Sequence, residues 1–236
     1  MDWTTATTGW VVAQRGAGSP RTTIRTRTQH LKQLAAAHPL ASPWDLTTAD
    51  LLAWAAAHDW KPETRHSVRT TLRSFYGWGV AAGHIDHSPA DALPTVRRTP
   101  PRARPLPDGI FADALRKAGE RERLILRLAA EAGMRRGEIA QAATWDLVED
   151  LAGWSIEVHG KGGRTRLVPL NEGLALELLA LDPGYFFPGK IDGHLSAQHV
   201  GDLASALLPA GWTLHHARHR FASRAYAVDR DVFTVQ

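Results

Sequence analysis

The sequence predicts a mainly α-helical protein with a small antiparallel β-sheet, and three observations carry that expectation. Residues 1–92 contain four stretches with apolar positions at helical spacing, each bounded by a capping residue, proline or glycine. Residues 145–170 contain three short strand-like runs, the last two joined by the turn Gly160-Lys161-Gly162-Gly163. From Glu172 onward the helical periodicity returns.

Taken in order, Trp3–Gln14 is an amphipathic helix ending near Gly16 and Gly18. Ser19-Pro20 opens a second, with Ile24, Leu31 and Leu34 inward and Arg21, Arg25, Arg27 and Lys32 among the rest; His38-Pro39 closes it. Thr47 or Thr48 caps a third, turning Leu51, Leu52 and Trp54 inward. Lys61-Pro62-Glu63 opens a fourth that runs to about Gly83, since proline's missing N–H has no partner at a first helical position anyway.

On this fourth helix Val68, Leu72 and Phe75 or Tyr76 make an apolar stripe, and Arg65, Arg69 and Arg73 make a second, four residues apart. Like charges in a row repel unless something neutralises them. The stripe is therefore either a solvated face, the commoner fate, or a helix laid along DNA. Ser67, Thr70, Thr71 and Ser74 are small enough not to obstruct such an approach.

Ser88–Pro107 is dense in proline and arginine and reads as a semi-rigid linker over 93–105, separating a helical domain at 1–92 from a second domain at 106–236. Its Arg97, Arg98, Arg102 and Arg104 suit a phosphate backbone better than mere solubility. Asp108 then caps a helix through Ala118. A strongly apolar helix with Leu124, Ile125, Leu126 and Leu128 ends at Gly133. Met134–Ala143 starts the next, which puts Arg135 at a boundary where free backbone N–H groups favour anions. Trp145–Val148, Trp154–Val158 and Arg164–Leu170 are the strands; Glu172–Leu181, Ser196–Leu208 and Leu214–Ala227 are helices.

The net charge of +4 makes a polyanion a suitable partner. The lysines are only Lys32, Lys61, Lys117, Lys161 and Lys190. The preference for arginine fits phosphate recognition and fits a GC-rich genome equally. The absence of cysteine excludes disulfides, thiolate metal sites and cysteine catalysis. No apolar run is long enough to cross a bilayer and the start lacks a signal pattern, so a soluble cytoplasmic protein is expected.

Three motifs carry chemistry: Ala132–Glu138 (AGMRRGE), His159–Leu170 (HGKGGRTRLVPL) and Leu214–Ser223 (LHHARHRFAS). Two arginines, a lysine and a histidine, with no acid cluster for a metal, suit a site that holds a phosphodiester without metal help. Together, in this order and spacing, the motifs resemble those of the tyrosine recombinases, the phage-integrase family: an arginine in G-L-R-x-x-E, a lysine in G-K-G-x-x-x-R-x-V-P-L, then H-x-x-R-H-x-F-A. The resemblance covers nearly the whole chain except its end.

The resemblance implies a helical core-binding (SAM-like) domain followed by an α+β catalytic domain, clamping duplex DNA from opposite sides at a core-type attachment site. It implies that Arg135 and Arg218 grip the non-bridging oxygens, Lys161 protonates the leaving 5′ oxygen, His215 assists proton transfer, and Glu138 orients a neighbouring arginine or histidine. Arg135 and Arg136 are adjacent; Arg135 holds the family position. The resemblance turns the Arg65, Arg69 and Arg73 stripe of the fourth helix toward DNA, and Arg164 and Arg166 are likewise expected to contact it. The implied reaction passes through a 3′-phosphotyrosyl ester, needs neither cofactor nor metal, and works in a tetramer on two duplexes. The helices begin almost at Met1, as in the simple type without an arm-binding domain. The family's nucleophilic tyrosine follows the histidine motif, and Tyr76, Tyr185 and Tyr226 do not match it. The expectation is therefore a chain truncated before its nucleophile, monomeric in solution, that binds DNA without cutting it.

Three alternatives remain. One is a non-catalytic DNA-binding or architectural protein. Another is a zinc enzyme using His215 and His219, four apart on a helix, although no carboxylate completes the set and Arg218 places a cation beside it. The third is a type IB topoisomerase, which shares the chemistry but fits the N-terminal helices less well.

Overall fold

The structure is a computed structural model that describes the chain apart from residues 98–102, 152, 161, 162 and 230–236, and apart from the side chains of 228 and 229. It is mainly helical with one small antiparallel sheet, and it divides into two compact units, Met1–Pro101 and Arg102–Gln236.

The first unit contains α1 (Trp3–Gly16), α2 (Arg21–Ala37), α3 (Thr48–Ala56) and α4 (Pro62–Ala81). Local chemistry sets their ends. Asp2 accepts the Thr5 N–H at the start of α1, and Thr47 and Asp50 form a capping box on α3. Proline opens α4 at its first turn. The core is aromatic: Phe75, fully buried, stacks on Trp44 at 5.2 Å between ring centroids and meets Trp10 edge-on at 6.3 Å. Tyr76 is buried in the same cluster.

The second unit contains α5 (Asp108–Lys117), α6 (Glu120–Glu131), α7 (Arg136–Gln141), strands β1 (Leu147–Asp150), β2 (Gly153–His159) and β3 (Thr165–Pro169), then α8 (Glu172–Leu179), a short extended segment β4 (Pro188–Ile191), α9 (Ala197–Ser205) and α10 (Leu214–Asp229). The sheet order is β1-β2-β3, with Val158 opposite Arg166 and Ile156 opposite Val168.

Two local expectations are corrected. Trp145 and Asp146 do not begin a strand; Thr144–Asp146 is a 3₁₀ turn, and β1 starts at Leu147. The turn forms because Asp146 reaches back to accept the Ala143 N–H at 2.9 Å, a bond an extended strand would not permit. Asp108 does not cap α5. Its carboxylate instead pairs with Arg220 and Arg224 of α10, each at 2.9 Å, and two guanidinium partners outcompete a backbone amide.

The junction between α6 and α7 fixes the geometry that follows. Gly133 sits at φ +60°, and a Cβ there would stand 2.3 Å from the Phe221 ring on α10. Arg218 of α10 donates from Nη1 to the Gly133 carbonyl. Glycine thus lets the junction lie directly on α10. Replacing Gly133 with alanine is expected to cost at least about 2 kcal/mol, combining left-handed strain with overpacking. Urea unfolding of the variant checks this; unchanged stability would contradict it.

Candidate active site

The site is built around Glu138, whose side chain is 5% exposed. It lies on α7, three residues after Arg135, and reaches back so that Oε2 accepts the Arg135 backbone N–H at 2.8 Å. Oε1 accepts Nη1 of the Arg135 side chain at 2.7 Å. Arg166 of β3 completes the set as a fork, Nη1 to Oε1 at 3.1 Å and Nη2 to Oε2 at 2.7 Å. Each carboxylate oxygen thus takes one bond from each arginine. The N–H at the start of α7, expected to favour an external anion, is already occupied by Glu138.

Arg135 remains 57% exposed, so its guanidinium has a face open to solvent, while Arg166 is only 25% exposed. Arg218, partly buried, joins from α10. Burial, then the positive charges of Arg135 and Arg166, lower its pKa, and the Glu138 charge opposes them. His215 is one helical turn before Arg218 and packs edge-on against His219 at 4.2 Å between ring centroids. Burial, then His219, His216, Arg218 and Arg135, lower the His215 pKa, so its imidazole is neutral near pH 7. Arg135, Glu138, Arg218 and His215 are therefore brought together, with Arg166 added. Two guanidinium groups share the Glu138 carboxylate and the Arg218 charge lies near it, which leaves an excess of positive charge at the site.

Lys161 lies outside the described residues, as do Arg98 and Arg102. At the end of β2, the Gly160 N–H donates to the Arg164 carbonyl at 2.7 Å, and a Cβ on Gly160 would lie 3.9 Å from Glu138 Oε1. On the same strand His159 Nε2 is 3.2 Å from Asp146 Oδ1. Arg164 is exposed.

His216 has a different task from His215. Its Nδ1 accepts the Thr213 N–H at 3.0 Å at the start of α10, and its ring meets Trp212 edge-on. Arg104 lies over the Trp212 ring at 4.0 Å, and the Leu106 N–H donates to the His216 carbonyl at 2.9 Å. The described residues contain no group of three or more His, Cys, Asp or Glu side chains that could hold a metal.

In the first unit the arginine stripe of α4 turns toward the segment that follows it. Arg69 forks onto the Leu93 carbonyl at 3.2 and 3.1 Å, Arg65 donates to the His58 carbonyl at 3.2 Å, and Arg73 is 3.7 Å from an Asp91 carboxylate oxygen. Ser67 and Thr70 face elsewhere; with Thr22, Thr26, Arg27 and His66 they line a groove of about 420 Å³ between α2 and α4. Arg97 is exposed.

No family model matches the chain. Among curated proteins, it is 32% identical to the tyrosine recombinase XerC of Xanthomonas axonopodis pv. citri (strain 306) over 213 residues, which are 80% of this chain and 68% of the relative. The chain belongs to the tyrosine recombinase family. XerC of Xanthomonas campestris pv. campestris (strain B100) is also 32% identical, over 196 residues, 74% of this chain; the match spans only 59% of that relative's length. Among solved structures, a lambda integrase (75–356) dimer bound to a COC′ core site shares the fold. Its TM-score is 0.78 at 19% identity, covering 100% of this chain and 93% of the integrase chain.

Sequence reasoning assigned Arg166 to DNA and missed its bond to Glu138. A signal was present: strand alternation puts Arg166 on the same face as Val168, which is buried. A guanidinium on a core-facing row needs a buried acid, and Glu138 in the preceding motif supplies it.

Burial raises the Glu138 pKa, but the Arg166 fork and the Arg135 N–H and guanidinium outweigh it and hold the carboxyl at about 2, against an ordinary 4.5. A depressed carboxyl stabilises the fold above its unfolded pKa and loses that contribution as pH falls through the folded value. Glu138 is therefore expected to contribute roughly 3 kcal/mol at pH 7, lost between pH 4.5 and about 2. Denaturant unfolding across that range checks this: Glu138→Gln lacks this part of the acid-side loss, and identical pH profiles would contradict the assignment.

Proposed function

We propose that the chain is the DNA-gripping part of a site-specific tyrosine recombinase, with Arg135, Arg218 and His215 around a scissile phosphodiester. The observation that supports this most is the shared Glu138: it holds Arg135 by one edge, leaves the rest of its guanidinium open, and does so next to Arg218 and His215. A pentacovalent phosphorane carries more negative charge on its non-bridging oxygens than the diester does. Cations fixed before the reaction stabilise that increment without reorganising.

In this reading a tyrosyl oxygen forms the new bond to phosphorus as the bond to the 5′ oxygen breaks. The tyrosyl proton passes toward His215, and Lys161 protonates the leaving oxygen. Rejoining reverses these transfers, so no nucleotide is consumed. The substrate is duplex DNA with a core-type site, held by the first unit as well as the second. Arg97, Arg98, Arg102 and Arg164 are candidate backbone contacts. Arg104 has an aromatic partner, and the α4 stripe is engaged with this chain's own carbonyls and Asp91, so these arginines serve DNA only by sharing. The dimeric state of lambda integrase on its core site supports self-association on DNA, with a tetramer on two duplexes as its complete form.

The three tyrosines do not fill the attacking role. Tyr76 lies in the first unit's core, where burial and the Asp50 charge raise its pKa and keep the hydroxyl protonated. Tyr185 packs edge-on against Trp145 and His194. Tyr226 is eight residues past Arg218 on the same helix, a rise of about 12 Å. The chain alone therefore binds DNA without forming the covalent ester.

A salt titration with a labelled duplex tests this. Binding is expected to weaken linearly in log–log form as phosphate contacts release counterions. Arg135→Ala and Arg218→Ala are each expected to weaken it about tenfold or more, the size of a lost charge-assisted hydrogen-bond pair. Binding that ignores both substitutions, or a protein–DNA adduct that survives denaturing gel electrophoresis, would overturn the reading.

A further inference from the structure

We propose that Arg166 is a positioning residue that sets how much of Arg135 is available to a phosphate and ties the paired strands β2 and β3 to α7; this rests on the phosphate-site reading above. A buried carboxylate offered a single arginine closes onto it as a two-pronged pair, the strongest geometry open to both. Such a pair would engage both prongs of Arg135 and cancel its charge. Here Arg166 takes the fork position instead, with two parallel bonds of 3.1 and 2.7 Å. Arg135 is left with one side-chain bond to Oε1, its second contact coming from its backbone N–H. Arg166 thus supplies the charge that offsets Glu138, and Arg135 keeps a free prong and an uncancelled charge.

The same fork is a mechanical tie. Arg166 follows the hairpin turn, on the strand opposite His159, which is anchored at Asp146. Both strands at the base of the turn are therefore pinned to side chains of the segment 138–146, one to each. The partner of Arg166 is the carboxylate that orients Arg135. A displacement of the hairpin is thereby transmitted to Arg135 through a single buried group.

The test follows the arginine Nε–H signals by NMR while the chain is titrated with inorganic phosphate. In the unmodified chain, phosphate is expected to shift the Arg135 and Arg218 signals and leave Arg166 unmoved. Arg166→Gln is expected to weaken phosphate binding at Arg135 at least about fivefold, and Arg166→Lys to restore part of it. The double variant Glu138→Gln with Arg166→Gln is expected to bind better than Arg166→Gln alone, because removing the carboxylate frees Arg135 again. Should Arg166→Gln fail to give a cooperative melt, the lysine and double variants carry the comparison. Phosphate affinity unaltered by Arg166→Gln, or by Arg166→Lys together with the double variant, overturns the proposal alone. A phosphate-dependent shift of Arg166 itself, with additive effects of the two substitutions, makes it a direct ligand and also overturns it. No phosphate response in the unmodified chain sinks the phosphate-site reading, and the positioning role with it.

Discussion

One ionised carboxylate, shut away from water, constrains the polar side of the second unit. Removing a carboxylate from water costs several kcal/mol even after relaxation, and only well-aligned partners offset it. Glu138 has four N–H bonds, from two arginines on two different elements. Meeting that demand brings β3 against α7 and fixes the start of α7. The Gly133 junction then links the same start to α10, where Phe221 and Arg218 close over it. Three chain segments far apart in sequence thus converge because a single buried charge and a single glycine leave them few alternatives.

Much of this was legible in the sequence where the chemistry is local. Proline at the first turn of α4 and the Thr47 cap of α3 act over one helical turn, and the α4 boundary follows from residues next to it. Arg135 at a helix boundary followed from Gly133 and the return of periodicity after it. What failed were contacts made over long separations. Asp108 looks like a cap when only its neighbours are considered; its partners stand 112 and 116 residues away on α10. Arg166 looks like a surface charge until its strand face is compared with Val168. The 3₁₀ turn at Thr144–Asp146 was hidden because tryptophan and leucine give the same run strand character.

The arginines of this chain do structural service alongside any role on DNA. Arg69 bonds the Leu93 carbonyl, Arg220 lies over Phe111 while holding Asp108, and Arg104 covers Trp212. A planar guanidinium can stack on a ring and donate from its edge at once, which an ammonium cannot. This gives a physical use for the chain's excess of arginine over lysine, and it separates the arginines in the core-facing network from those still open to a partner. The contacts at Trp212, His216, Arg220 and Arg224 also strap residues 104–108 to the helix that carries His215 and Arg218.

The convergence of cations on one phosphorus is most directly tested by diffraction from crystals of the chain soaked in tungstate, a tetrahedral oxyanion with a strong anomalous signal. The expected result is a peak bridging the Arg135 and Arg218 guanidinium groups beside His215. Peaks confined to other basic surfaces, such as the groove lined by Arg15, Arg21, Arg25 and Lys32, with none between Arg135 and Arg218, would contradict it.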